Sequence, residues 1–277
     1  MAGTLILVGT PIGNLKDASE RLRETLARVH VIACEDTRRT GRLLEALEIE
    51  RGARLVSYFE GNERKQTPHL IEQLRGGSDV ALVTDGGMPS FSDPGYRLVR
   101  AAIAAGVEVD VVPGPAAAIA ALVVSGLPTD RFAFEGFLPK KEAARRARLG
   151  ENADEPRTLL LFESPQRLRA LLEDAVEMLG PDRPAAVVRE LTKMHQEIRR
   201  GSLRELAEGT PHEVKGEVTV VIGGAEPAAP DVEALAARVN ELVEEGLSRK
   251  EAAARVAESS GAGRRALYDA SLGGGDA

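Results

Sequence analysis

Apolar runs rich in β-branched residues alternate with stretches of helical spacing through the first part of the chain. Leu5-Ile6-Leu7-Val8, Val29-His30-Val31-Ile32-Ala33, Val80-Ala81-Leu82-Val83 and Val107-Glu108-Val109-Asp110-Val111-Val112 have the length and composition of strands. Between them Leu15, Leu22, Leu26 and Val29 recur at helical intervals, as do Leu43, Leu44 and Leu47. Such alternation predicts an α/β domain over residues 1–113, with a mostly parallel sheet covered by helices on both faces. Ligands of such sheets sit beyond the carboxyl ends of the strands, which directs attention to the loops that follow them.

The pattern changes after Pro113. Arg157 to Phe162, Ala185 to Val188, Gln196 to Arg199 and Val218 to Ile222 read as strands, several close enough in sequence to pair antiparallel. A mixed-sheet α/β domain is therefore expected over residues 114–224. Gly223 to Pro230 has the composition of a linker. Beyond it, Asp231 to Ala270 reads as two or three short helices, with Ser248-Arg249-Lys250-Glu251 as a capping box, so residues 231–277 form a small helical appendage. The glycines Gly273-Gly274-Gly275 close the pattern, and there is no internal repeat.

Composition narrows the classes. The 277 residues are 43% hydrophobic but only 3% aromatic, so sizeable cores must be built from Ala, Val, Leu and Ile. No apolar stretch is long enough to span a bilayer, and the start Met1-Ala2-Gly3-Thr4 lacks the basic and apolar segments of a secretory leader. The single Cys34 excludes an internal disulfide and suits a reducing compartment, so a cytoplasmic location is expected. A net charge of -7 argues against a general nucleic-acid binder, although Lys140 to Arg148 is a basic stretch. That stretch is either a solvated helix face or a local patch for phosphates.

Asp93-Pro94, Gly114-Pro115 and Ser164-Pro165 each place Pro at an expected first helical position, with Asp93 and Ser164 as N-caps. If these starts converge, their amides and dipoles could hold a polar ligand; taken singly, each is ordinary helix initiation. The loop Thr84 to Gly95 follows an apolar strand, and Gly86 and Gly87 would let a ligand approach its main chain closely. The loop Gly9-Thr10-Pro11-Ile12-Gly13-Asn14 has the same character. Neither matches a dinucleotide or nucleoside-triphosphate fingerprint. His30, His69, His195 and His212 lack metal-ligand spacing, and there is no nucleophile elbow or catalytic-cysteine pattern. These features define an α/β protein with a glycine-lined cleft for a small polar ligand.

The loops also occur as an ordered series: Gly9 to Asp17, Cys34-Glu35-Asp36-Thr37-Arg38, Thr84 to Gly95, Val112-Pro113-Gly114-Pro115, Ser125 to Phe132, Gly136 to Lys140, Phe162-Glu163-Ser164-Pro165, Arg189 to Lys193, and Lys215-Gly216-Glu217. Over residues 4–224 this series resembles the ribosomal small-subunit methyltransferase I family of the tetrapyrrole methylase superfamily. The resemblance implies a two-domain fold with S-adenosylmethionine in the interdomain cleft, a homodimer, and 2′-O-methylation of a cytidine in the decoding region of small-subunit (16S) ribosomal RNA, with the assembled subunit as the expected partner. The superfamily's cofactor loops carry over onto Pro11, Asp85, Gly86, Gly87, Met88, Phe91, Ala116 and Ala117, and in the second domain onto Glu163 and Leu191. Gly86 and Met88 stand where Ala and Thr are frequent in the family, Ala116 where Ser is, and Gly61 where His is, which shifts attention to Asn62 and Glu63.

A ribose hydroxyl is a poor nucleophile at neutral pH, so a nearby carboxylate could help remove its proton. Glu35, Asp36 and Glu63 are the candidates, with helix capping and pairing to Arg38 or Arg39 the competing role for the first two. Arg38, Arg39, Arg42, Asn62 and Lys140 are candidate RNA contacts. Arg249, Lys250, Arg264 and Arg265 would add to them if the appendage is more than a packing module. Two other functions fit parts of the pattern: methylation of a tetrapyrrole intermediate, and a non-enzymatic nucleic-acid-binding regulator.

Overall fold

The computed structural model describes residues 2–50, 52–226 and 231–273; the linker residues 227–230 and the glycines Gly274 and Gly275 lie outside the described residues. The chain divides at Ala225 and Glu226 into two compact units. The first begins with β1 (Thr4–Val8), α1 (Glu20–Arg28), β2 (Val31–Cys34), α2 (Thr37–Ala46), β3 (Arg54–Ser57), α3 (Glu63–Arg75), β4 (Val80–Val83), α4 (Tyr96–Ala104) and β5 (Glu108–Val112). It continues with α5 (Ala117–Ser125), β6 (Phe132–Phe137), α6 (Glu142–Gly150), β7 (Thr158–Glu163), α7 (Leu168–Leu179), β8 (Pro184–Arg189), β9 (Glu197–Ser202), α8 (Leu203–Glu208) and β10 (Val218–Ile222).

The first sheet has the order β3-β2-β4-β1-β5 with every pairing parallel, as expected. Successive strand side chains alternate faces. Ile6, Val8, Ile32 and Ala81 pack with α1 and α2, while Leu5, Val31, Val80 and Leu82 pack with α3 and α4. Parallel pairing orients all five strands alike, so the loops leaving β1, β2, β4 and β5 emerge at one edge. The second sheet, β6-β7-β10-β8-β9, is mixed: β6 runs parallel to β7, and the other pairings are antiparallel. One face is covered by α6, α7 and α8 through Leu149, Leu171, Leu172 and Leu206; the other meets α5 through Ala118, Ala121 and Leu122.

Two of the three Pro-marked helix starts differ from expectation. The helix after Asp93-Pro94 begins at Tyr96, with Gly95 at its N-cap and no side-chain cap. The helix after Gly114-Pro115 begins at Ala117, with Ala116 at its N-cap. Only Ser164-Pro165 starts helical structure where predicted, as a short 3-10 turn before α7. Leu15 belongs to a separate 3-10 turn ahead of α1, because Ser19 caps α1 through the amide of Leu22.

The second unit holds α9 (Val232–Glu244), α10 (Arg249–Ser260) and α11 (Arg264–Gly273). The predicted capping box is present: Ser248 Oγ accepts from the Glu251 amide, and Glu251 accepts from the Ser248 amide. Val239, Leu242, Ala252, Ala253, Val256 and Leu267 form its own core.

Candidate functional site

Three of the loops at the edge of the first sheet are tied together through their main chains. Thr10 and Gly87 exchange amide hydrogen bonds of 2.9 and 3.1 Å, the Thr10 hydroxyl donates to Thr84 O at 3.2 Å, and the Gly9 amide donates to Val112 O at 3.0 Å. Side chains would prevent this approach. A Cβ on Gly9 would lie 2.7 Å from Gly114 Cα, and one on Gly114 would lie 2.5 Å from Gly9 O. Gly87 has φ +90°, a conformation that strongly favours glycine. Gly86 is less constrained: an added Cβ would meet Pro11 O at 3.5 Å and Ile12 Cα at 3.8 Å, both ordinary contacts.

A cleft of about 500 Å³ opens between these loops and the second sheet. The predicted cofactor residues Asp85, Gly86, Gly87, Met88, Phe91, Ala116, Ala117, Glu163 and Leu191 line it, as do Glu35 and Arg39. Pro11 is buried behind this wall, with its carbonyl toward Gly86. Few of the chain's six phenylalanines lie elsewhere: Phe91 stacks on Phe134 with ring centroids 4.3 Å apart, and Phe162 contacts both Phe134 and Phe137. Phe91 thus carries the loop after β4 across to the second sheet. At the cleft wall, α5 begins at Ala117, with Ala116 at its N-cap and no side-chain cap, leaving its first amides available. Glu163 is buried and paired with Arg167 at 2.6 Å, and its Oε2 has no hydrogen-bond partner among the described residues.

The loop acids differ in their surroundings. Asp36 does not line the cleft; it caps α2 by accepting from the amides of Arg38 and Arg39 at 2.7 and 3.2 Å, and those bonds hold its carboxyl below the usual range. Glu35 lies in the cleft and accepts from the Asp85 amide at 3.5 Å, with its pKa raised by burial and then by the Asp85 charge. Asp85 pairs with Arg39 at 3.0 Å, yet burial outweighs that cation and raises its pKa. Asp93, read from the sequence as a helix cap, lines the cleft as well; burial and then the Glu35 charge push its pKa up to about 6. Sequence reasoning missed it because Asp-Pro is also a favoured way to start a helix. Its place in a glycine-rich loop after a buried strand was the available clue.

The remaining predicted residues lie outside the cleft. Glu63 opens α3, accepting from the Gly95 amide at 2.8 Å and facing Arg97 at 3.8 Å. Asn62 braces the preceding turn, accepting from the Phe59 amide and donating to Ser57 O. Arg38, Arg42 and Lys140 are exposed and form no ion pair among the described residues. The basic stretch is not one free cationic face. Arg145 is buried against Asp174 at 2.6 Å, Arg146 pairs with Glu177, and Arg148 pairs with Glu135 at 2.7 Å. In the second unit, Arg249 donates to Asn240 and to Ser271 O, which gives it a packing role.

Comparisons with known proteins agree with this geometry. The family model described as Tetrapyrrole (Corrin/Porphyrin) Methylases matches residues 4–207. A Mycobacterium tuberculosis protein named ribosomal RNA small subunit methyltransferase I is 51% identical over 272 residues, covering 98% of this chain and 95% of its own length. A Pseudomonas aeruginosa protein of the same name is 44% identical over 276 residues, covering 98% and 97%. Among solved structures, the methyltransferase CobJ superposes with a TM-score of 0.60 at 20% identity, covering 81% of this chain and 95% of its own. A uroporphyrin-III-C-methyltransferase from Thermus thermophilus gives 0.52 at 24%, covering 80% and 94%. These two likenesses concern the fold. Taken with the loops that build the cleft, the matches establish that the chain belongs to the tetrapyrrole methylases and, within them, to the ribosomal RNA small subunit methyltransferase I family.

Proposed function

We propose that the protein transfers a methyl group from S-adenosylmethionine to the ribose 2′-hydroxyl of a cytidine in the decoding region of 16S ribosomal RNA. It would act as a cytoplasmic homodimer on the assembled small subunit. The names of the full-length relatives support ribosomal RNA as substrate. The observation that carries the reading is a cleft shaped by main-chain contacts among the loops after β1, β4 and β5 and closed by an aromatic wall.

The residues present fit the methyl donor. The cleft volume is in the range of small-ligand sites. Among the described residues Glu163 Oε2 is a buried acceptor without a partner, and Glu35 and Asp85 make the cavity acidic, which suits a cationic sulfonium and an ammonium group. The main chain of Asp85 to Met88, the first amides of α5, Phe91, Glu163 and Leu191 would hold it. The bound donor supplies a methyl group on positively charged sulfur, already an electrophile. The protein's own work is then to orient the sugar oxygen and to exclude water, for which the phenylalanine wall is suited. Of the three acids proposed from sequence to accept the proton, Glu35 is the one in the cleft.

The test is incubation with methyl-labelled S-adenosylmethionine and either undermethylated small subunits or uroporphyrinogen. We expect label only in the subunits, mapped by mass spectrometry to one cytidine ribose. Label in the porphyrinogen or on a base would overturn the reading, as would failure to bind the donor by calorimetry.

A further inference from the structure

A second cavity, of about 830 Å³, adjoins the cleft, and Glu35, Ser92 and Asp93 line both. Tyr96, Arg97 and Arg100, from the first half of α4, line it as well. Tyr96 is 67% exposed, and the Arg100 guanidinium lies 5.9 Å from its ring centroid. An exposed ring flanked by arginines is suited to stack a base and to meet phosphates.

The loop in the shared wall is held in an uncommon conformation. Ser90 and Ser92 have φ +70° and +62°, and Gly95 has φ +141°. A Cβ on Gly95 would lie 2.7 Å from Leu82 Cδ2. The Ser90 amide donates to Pro94 O, and Glu63 accepts the Gly95 amide, so the loop is pinned at both ends. Left-handed serines persist where surrounding contacts over-determine them, often at functional sites. Here the contacts fix Asp93 between the two cavities.

We propose that the second cavity receives the target nucleotide, with Tyr96 on its base and Arg97 and Arg100 on its phosphates, and that Asp93 is the general base for the ribose hydroxyl. The assignment rests on the methyltransferase reading above. The O–H bond breaks and its proton passes to the Asp93 carboxylate. The oxygen's electron pair forms the new O–CH3 bond, and the pair of the broken C–S bond stays on sulfur, which becomes a neutral thioether. Glu35 shares the wall but accepts from the Asp85 amide, and Arg39 is paired with Asp85. Asp93 forms no ion pair among the described residues. The charged groups around it are Glu35 from the loop after β2, Asp85 from the loop after β4 with its partner Arg39, and Glu60, Glu63, Arg97 and Arg100 lining the second cavity. Burial and the Glu35 charge bring its pKa close to a working pH, as a general base needs. The same acids repel phosphate, so a neutral hydroxyl is the part of a nucleotide best received at this wall.

The test uses full-length protein and undermethylated small subunits. Asp93→Asn should lower kcat at least about 100-fold, with the Kd for S-adenosylmethionine by calorimetry and for subunits by filter binding both within about threefold of wild type. Its residual rate should lack the acid limb of the wild-type pH profile. The double variant Tyr96→Ala, Arg100→Ala should weaken subunit binding, measured without the donor, at least about tenfold, while leaving the Kd for S-adenosylmethionine unchanged. Near-normal kcat or a retained acid limb in Asp93→Asn, or unaltered subunit binding in the double variant, would overturn the assignment alone. An inactive wild type would overturn the functional reading and this assignment with it.

Discussion

At the scale of single residues, the cleft places carboxyl groups where their charge is costly. Asp93 shows the sign most clearly. Its pKa is raised to about 6 in the folded protein, against about 3.9 in an unfolded chain. The folded state therefore binds the extra proton between those values, and stability falls as pH rises through the folded pKa. A fully shielded group with this shift would cost about 3 kcal/mol at neutral pH. Partial solvent access reduces that to about 1 kcal/mol. Asp93→Asn should consequently raise Tm by about 2–4 °C at pH 7.5, and the gain should vanish by about pH 3.5, where the carboxyl is protonated in the folded and the unfolded chain alike. Calorimetry at both pH values checks this; an equal gain at both would mean that charge burial is not the cause. The same residue marks a limit of sequence reading. Asp-Pro fits a helix start, and only the left-handed turns at Ser90, Ser92 and Gly95, set by packing distant in sequence, delay the helix to Tyr96 and turn the acid toward the cavities. Arg145 is a similar case: nothing local in a run of basic residues shows that it is buried against Asp174, which lies on α7.

At the scale of elements, the strands buried on both faces were legible, as were the edge strands β5 and β9, but the edge strands β3 and β6 were not. β1, β2, β4, β7, β8 and β10 are apolar runs covered by helices, and periodicity finds them. The edge strands β3 and β6 are partly exposed, and β6 has a register shift between Phe134 and Gly136, so their apolar pattern is diluted. α3 is interrupted in sequence by Pro68 and was equally hard to see. The cleft loops divide in the same way. Glycine marked them as unusual, but which glycine matters depends on contacts between loops. Gly114→Ala would push a methyl group into Gly9 O and its carbonyl carbon, at 2.5 and 2.7 Å, with only main chain to yield. It should cost about 1–3 kcal/mol and weaken S-adenosylmethionine binding by separating the loops after β1 and β5. Gly86→Ala meets only ordinary contacts and should leave the denaturation midpoint unchanged. Urea titration of the two variants, with donor binding measured for Gly114→Ala, decides it; equal midpoints would remove the main-chain contact as the element that shapes the cleft.

At the scale of the whole molecule, the two compact units differ in what holds them together. The unit ending at Ala225 contains two sheets with helices packed on them and four buried clusters. Among the described residues the unit from Glu226 has one small cluster, in which Ala252, Ala253 and Ala262 contribute little apolar area. Surface-to-volume scaling makes a unit of that size marginal on its own, and its capping box and Arg249 bonds add only modest stabilisation. Each unit has its own core, so unfolding should not be a single all-or-none event. Calorimetry of the full chain should show a small transition at lower temperature ahead of the main one. Truncation after Ala225 should abolish the small transition, leave the main Tm within about 4 °C and leave S-adenosylmethionine affinity unchanged, because every residue lining the cleft lies before that point. A single transition in the full chain, or a truncated protein that loses the donor, would mean that the first unit depends on the helices for its fold. The helical unit would then have to be counted as part of the methyl-transfer machinery.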